Sequence, residues 1–356
     1  MTKLKVLIVD DSAVFRRTIS SALEQDPVIE IVGTAANGEI GLEMIRLKSP
    51  DIVILDVEMP KMDGIETLRC IRQRWPMVRV IMFSAHTRTG AKSTLEALAL
   101  GAVDFVTKPT GASLETNKIT IQQDLVPKIR AFSSQPAPVS TAPDKPEQTL
   151  SVTSRSRRFR RSNEPPLVAI GISTGGPNAL VSVLGSIRKD FLSPILITQH
   201  MPPLFTEQLA NRLDKVCPLQ VSEARQDQPV EAGHVYIAPG DYHMEVHKRS
   251  AHSTPAIHLH QGPKECSCRP SVDVMFRSVA NSHGTNAIGV IMTGMGQDGF
   301  EGGKILKACD AYLIAQNRET CVVYGMPSLI VSHGLADEIL PLDQIGPRLM
   351  DLVGKW

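Results

Sequence analysis

Hydrophobic and polar positions follow one rhythm over residues 3 to 132. Short apolar runs predict strands at Lys5–Val9, Ile29–Thr34, Ile52–Leu55, Val80–Phe83 and Val103–Val106. Between them, stretches such as Val14–Gln25 and Ile65–Arg74 place apolar residues at helical spacing, and a last helical pattern covers Ile119–Phe132. Strands alternating with helices predict a parallel sheet covered on both faces.

The rhythm breaks over residues 133–164, which are rich in Pro, Ser and Thr and poor in apolar side chains. Such a composition cannot bury enough surface to offset its ordering entropy, so a flexible linker is expected. Arg155, Arg157, Arg158, Arg160 and Arg161 cluster there, as a solvated linker end or as a docking site for an acidic partner. The α/β rhythm resumes at Pro166, with strands expected at Leu167–Ile170, Ile195–Thr198, His234–Ala238, Ala287–Thr293 and Ala311–Ala315. No internal repeat links the halves. The expectation is two doubly wound parallel-sheet α/β domains, residues 1–132 and 165–356.

Composition narrows this picture. The length of 356 residues suits two domains, and 42% hydrophobic content with only 4% aromatics predicts aliphatic cores. A net charge of +1 gives no whole-protein attraction to nucleic acid or membrane. No run approaches the roughly 20 apolar residues of a membrane span. Six cysteines in so long a chain do not make a disulfide framework, so the reducing cytoplasm is expected.

In parallel α/β sheets, ligands bind at the carboxyl ends of strands. Asp10 and Asp11 end the first expected strand, Asp56 follows the third, Ser84 the fourth, and Lys108 lies beyond the fifth. Carboxylates this dense repel one another unless a hard cation binds, and Mg²⁺ with its oxygen preference fits. A carboxylate beside Mg²⁺ and Lys⁺ can attack a phosphoryl group, because both cations neutralise the transferring oxygens. An aspartate there could otherwise cap the next helix; the five positions together favour the phosphoryl site.

In the second half, Leu167–Ile170 runs into Gly171-Ile-Ser-Thr-Gly-Gly-Pro177. Gly171-x-Ser173-x-Gly175 fits a nucleophile elbow, and equally a phosphate-cradling loop at a helix start. Two further strand ends carry His200 and Asp298. Serine, histidine and aspartate together meet the need for a nucleophile, a general base and an orienting acid. Their chain order differs from the Ser…Asp…His of α/β-hydrolases. His243 is the alternative base. For a dinucleotide loop, an acid about 20 residues on would be preferred, and the nearest, Asp190, lies before its strand.

The first half resembles the response-regulator receiver family through Asp10-Asp11, Asp56, Met59-Pro60, Asp63-Gly64, Ser84-Ala85 and Lys108-Pro109. That resemblance implies Asp56 as phosphoacceptor, and Mg²⁺ held by Asp11, Asp56 and the Glu58 backbone carbonyl with support from Asp10. It also implies phosphoryl contacts from Ser84 and Lys108. Phe105 stands at the family's switching aromatic, or is an ordinary core residue.

The second half resembles the chemotaxis response-regulator methylesterase family. The matching segments are Gly171-Ile-Ser-Thr-Gly-Gly, Ile197-Thr-Gln-His-Met-Pro202, Tyr236-Ile-Ala-Pro-Gly-Asp241, Arg269-Pro-Ser-Val-Asp273, Thr293-Gly-Met-Gly-Gln-Asp-Gly299 and Val323-Tyr-Gly-Met-Pro327. The resemblance implies Ser173 as nucleophile, His200 as base, Asp298 as orienting acid, the Met295 backbone N–H as oxyanion donor, and no cofactor for the ester chemistry. The implied substrates are methylated glutamates, and certain glutamines, of methyl-accepting chemoreceptors. A chemotaxis histidine kinase would supply phosphate to a monomer that neither binds nucleic acid nor inserts into a membrane. The expected fold is a flavodoxin-like receiver followed by a Rossmann-like hydrolytic domain. The rival reading is a phosphorylation-gated nucleotide- or protein-binding module. Cys266-Ser-Cys268 departs from the family pattern; with His258 and His260 nearby a metal site is imaginable, but zinc motifs usually separate cysteines by at least two residues, so none is expected.

Overall fold

A computed structural model describes residues 3–111, 113–133, 165–248 and 253–354. All of the expected linker except Ser133, and the whole arginine cluster, lie outside the described residues. The chain divides into two units, residues 1–145 and 146–356.

The first unit runs β1 (Leu4–Val9), α1 (Ala13–Leu23), β2 (Ile29–Ala35), α2 (Gly38–Lys48), β3 (Ile52–Asp56), α3 (Gly64–Arg74), β4 (Arg79–Ser84), α4 (Arg88–Ala99), β5 (Asp104–Thr107) and α5 (Leu114–Ala131). Its sheet has the order β2-β1-β3-β4-β5, with every pair parallel. This is the flavodoxin-like order, whose direction of winding reverses between β1 and β3. The inner strands are aliphatic because helices cover both faces, and Val6–Val9 and Val80–Phe83 are fully buried. Local chemistry sets the helix starts. Ser12 accepts the Phe15 N–H ahead of α1, and Asp63 forms a reciprocal capping box with Glu66 ahead of α3. Gly64 is needed after Asp63, since a Cβ there would lie 2.0 Å from the Asp56 carbonyl oxygen.

The second unit runs β6 (Leu167–Ile172), α6 (Gly176–Gly185), β7 (Ile195–Gln199), α7 (Phe205–Asp214), β8 (Gln220–Glu223), β9 (His234–Ile237), β10 (His243–His247), β11 (Ala256–His260), α8 (Val272–His283), β12 (Ala287–Ile291), α9 (Phe300–Ala308), β13 (Tyr312–Gln316), α10 (Met326–Ser332), β14 (Glu338–Leu340) and α11 (Leu342–Val353). Its parallel seven-stranded sheet has the order β14-β13-β12-β6-β7-β9-β8, and β10–β11 form a separate antiparallel hairpin. The winding starts on β6 at the centre, goes out through β7, and later returns to β12 on the other flank. The β6/β12 boundary is therefore the switch point at which ligands bind such sheets.

The expected strands of this half prove to be its central five. The missed strands are the sheet's edges, β8 and β14, and the hairpin. Edge strands bury fewer side chains and so lack a continuous apolar run; β8 reads Gln-Val-Ser-Glu, and only its Val221 is buried. The expectation that β12 reaches Thr293 also needs correction. Thr293 has left the ladder, its N–H donating to Gln316 Oε1 at 2.8 Å.

Candidate active sites

At the switch point of the first sheet, the ends of β1 and β3 bring Asp10, Asp11 and Asp56 together. One carboxylate oxygen of each lies within 4.8 Å of the others. Lys108 Nζ reaches across to Asp56 Oδ2 at 2.7 Å and Asp10 Oδ2 at 3.2 Å. Its ammonium also sits 5.0 Å from the Phe15 ring centroid and 5.6 Å from that of Phe83, which holds the lysine stem over apolar surface. Arg16 fixes the acidic turn by donating to the carbonyl oxygens of Asp10 (2.7 Å) and Asp11 (3.0 Å).

Burial raises the Asp56 carboxyl to about 6; the nearby Asp10 also raises it, while Lys108 opposes. Asp10 is likewise raised, chiefly by burial. A cluster of hard oxygen donors that resists full ionisation fits a divalent cation such as Mg²⁺, whose charge would relieve the repulsion. The Glu58 backbone is close by, its N–H donating to Asp56 Oδ1 at 3.4 Å. Ser84 ends the strand beside Asp56 and is buried; its hydroxyl donates to the Gly90 carbonyl at 3.2 Å. Phe105 is buried too, with Lys128 Nζ 5.5 Å from its ring centroid.

At the switch point of the second sheet, Ser173 leaves β6 and turns into α6. Its N–H donates to the Thr293 carbonyl at 3.0 Å, which ties the turn to the loop after β12. β6 and β7 are paired so that Ile172 faces Gln199, and Ser173 and His200 are therefore the next residues on neighbouring strands. The His200 N–H donates to the Ile172 carbonyl at 3.3 Å. His200 Nε2 is bonded to Asp298 Oδ2 at 2.7 Å, with both side chains largely buried. His200 Nδ1, the other ring nitrogen, lies 3.6 Å from Cys268 Sγ.

Asp298 is held by the start of α8. It accepts from Ser271 Oγ (2.8 Å), Val272 N (2.7 Å), Asp273 N (2.9 Å) and Gly299 N (3.0 Å). A helix N-terminus offers free N–H groups and positive potential, a natural seat for a carboxylate. Burial opposes ionisation of Asp298, but the bond to His200 and these N–H groups outweigh it and hold the carboxyl below its ordinary range. Burial likewise opposes the His200 cation, and Asp298 and Cys268 reverse that, moving the imidazole above its ordinary value.

Met295 follows Gly294, which abuts the serine: a Cβ on Gly294 would meet Ser173 Cβ at 2.8 Å and Met326 Sδ nearer still, at 2.4 Å. His243, the alternative base, uses both nitrogens on backbone. Its Nε2 meets the Pro263 carbonyl at 2.9 Å and its Nδ1 accepts the Ser271 N–H at 3.2 Å. It thus steadies the residue that holds Asp298. Asp190 is exposed and paired with Arg188 at 3.1 Å.

Sequence reasoning missed Ser271 and Thr293. Buried Thr293 donates its hydroxyl to the Thr174 carbonyl at 2.9 Å and accepts the Val323 N–H at 3.0 Å, joining three loops. Only Ser271 carried a signal, as an N-cap residue before an apolar helical run. His258 and His260 are committed elsewhere, to Gln226 Nε2 at 3.3 Å and Glu245 Oε2 at 3.6 Å respectively.

Two family descriptions match the chain: a response regulator receiver domain at residues 6–119 and a CheB methylesterase at residues 168–349. The chain is 44% identical over 360 residues to the protein-glutamate methylesterase/protein-glutamine glutaminase of Symbiobacterium thermophilum, covering 99% of this chain and 98% of that one. With the protein of the same description from Trichodesmium erythraeum it shares 41% over 355 residues, 99% and 100% of the two chains. The crystal structure of the Thermotoga maritima CheB methylesterase catalytic domain matches with a TM-score of 0.52 at 40% identity, covering 53% of this chain and 100% of that chain.

Proposed function

The chain belongs to the protein-glutamate methylesterase/protein-glutamine glutaminase family, a receiver joined to a methylesterase, and on that premise we propose which residues perform the reaction and its control. The enzyme is a carboxylic ester hydrolase of chemotaxis. It removes methyl groups from glutamate γ-methyl esters of chemoreceptors under control of its receiver, and deamidates receptor glutamines.

Ser173 attacks the γ-carbonyl and His200 takes its proton. Asp298 occupies Nε2, so the serine proton goes to Nδ1, the nitrogen that lies 3.6 Å from Cys268 Sγ. The Met295 backbone N–H serves as the oxyanion donor, His200 hands its proton to the departing methoxide so that methanol leaves, and the neutral His200 then activates the water that releases the glutamate. Asp298 keeps the imidazole oriented and stabilises its cation without itself being protonated. The observation that carries this reading is the 2.7 Å His200–Asp298 bond at the switch point, one register step from Ser173. Incubation with a serine-directed phosphonate tests it; peptide mapping should find the label on Ser173, and label elsewhere would overturn the assignment.

In the receiver, Asp56 is the phosphoacceptor, with Lys108 and Ser84 as phosphoryl contacts. Asp11, Asp56 and the Glu58 carbonyl, supported by Asp10, would hold Mg²⁺, which neutralises transferring phosphoryl oxygens. The phosphodonor is a chemotaxis histidine kinase, and the protein acts as a monomer in the cytoplasm. The six free cysteines support that compartment. No helix among the described residues is long and apolar enough to cross a membrane.

A further inference from the structure

Glu265 and Cys268 close a tight turn, Cys268 N–H to the Glu265 carbonyl at 2.7 Å and Glu265 N–H to the Cys268 carbonyl at 3.2 Å. Its central residues, Cys266 and Ser267, have φ of 48° and 64°, a left-handed conformation that side chains other than glycine rarely adopt. Arg277 braces the turn through Glu265 Oε2 at 2.8 Å. The result is to aim the Cys268 sulfur at His200 Nδ1, 3.6 Å away. His200, Cys268 and Asp298 each offer one ligand atom within 4.8 Å of the other two.

The separation has a chemical meaning. Zinc binds a cysteine sulfur at about 2.3 Å and an imidazole nitrogen at about 2.0–2.1 Å, and a tetrahedral angle then sets sulfur and nitrogen about 3.6 Å apart. The tautomer is right as well. A metal-binding histidine commonly donates its other N–H to a carboxylate, which orients the ring and raises its basicity. Asp298 does this at Nε2, so that in the neutral imidazole the Nδ1 lone pair is the one on the side of Cys268 Sγ.

We propose that Cys268 Sγ and His200 Nδ1 form a binding site for a borderline-soft divalent cation, Zn²⁺ first, and that its occupation switches the esterase off. Solvent fills the remaining tetrahedral positions. Binding releases the Cys268 thiol proton and uses neutral His200, so the metal and the Ser173 proton compete for one lone pair. The metal site stands on geometry alone, whereas the inhibition rests on His200 being the base. The cysteine spacing that argues against a two-thiolate motif is no obstacle, since only one thiol is used.

The test uses the full chain with excess Mg²⁺ to fill the receiver's all-oxygen site. Titration with Co²⁺ should give a near-ultraviolet thiolate-to-cobalt charge-transfer band, which neither that site nor the histidine-bearing hairpin can produce. Cys268→Ser should abolish the band and weaken Zn²⁺ binding about tenfold or more, whereas Cys266→Ser should keep the band. In the unmutated chain, Zn²⁺ should slow alkylation of Cys268, located by peptide mapping, so the proposal does not depend on a variant folding. Absence of the band, its persistence in Cys268→Ser, or alkylation of Cys268 indifferent to Zn²⁺ would overturn the site. Phosphonate labelling of Ser173 separates the inhibition from the catalytic reading. Labelling that fails even without metal overturns the reading beneath it; labelling undiminished with metal bound overturns the inhibition.

Discussion

Most of the chemistry depends on a few side chains whose neighbours set their protonation. Ser173→Ala removes the proposed nucleophile, and methanol release from methylated receptor membranes should fall by about 10³-fold or more. Asp298→Asn should be milder in rate and should also move the pH profile. A general base must be neutral, so activity is present above the His200 pKa and lost below it. The pair with Asp298 raises that pKa, and deleting the carboxylate charge should shift the acid limb to lower pH; an unmoved limb would mean that another group sets it. In the receiver, Asp56→Asn should abolish Mg²⁺-dependent labelling by acetyl phosphate. No other carboxylate there meets Lys108 at 2.7 Å, Asp10 lying at 3.2 Å. Stoichiometric labelling of that variant would remove the assignment.

At the scale of elements, α8 does two jobs at its first turn. Ser271 is the N-cap, accepting the Val274 N–H, and its hydroxyl donates to Asp298 at 2.8 Å. Ser271→Ala should therefore cost about 1 kcal/mol of stability as a lost cap, read as a lower denaturant midpoint. It should also slow ester hydrolysis severalfold by loosening the acid, with little change in KM. Recovery of kcat in Ser271→Asn but not in Ser271→Ala would argue against positioning by the hydroxyl, because asparagine keeps the cap and cannot reproduce that O–H bond. The switch points explain why such devices gather here: neighbouring strands that wind apart leave a crevice at their carboxyl ends, and both sites occupy one.

For the whole molecule, the question is how one unit governs the other. Each unit has its own sheet and core, and the related catalytic domain from Thermotoga maritima was crystallised as a separate piece. A receiver joined by the expected linker of roughly 30 residues would stay at high effective concentration beside its partner, so even a weak contact would be populated. A receptor helix is a bulky substrate that a docked domain would block. Residues 164–356 alone should accordingly release methanol faster than the unphosphorylated full chain, and acetyl phosphate with Mg²⁺ should bring the full chain to that level or above. Equal rates for the fragment and the unphosphorylated chain would remove inhibition and leave activation or targeting.

The sequence by itself determined the two α/β halves, because strands buried on both faces must be continuous apolar runs, and the runs at Leu167–Ile172 and Ala287–Ile291 could not be read otherwise. It also determined which polar residues stand at strand ends, hence Asp56, Lys108, Ser173, His200 and Asp298 as candidates. Only the tertiary structure decided how the strands are ordered, and therefore that Ser173 and Thr293 meet although 119 residues separate Thr293 from neighbouring Thr174. Edge strands such as β8 stayed illegible, since a half-exposed strand carries little apolar signal. The placements of Ser271, His243 and Cys268 stayed illegible for another reason. Each depends on a hydrogen bond or a close approach between distant segments, and local spacing holds no record of a neighbour that only folding supplies.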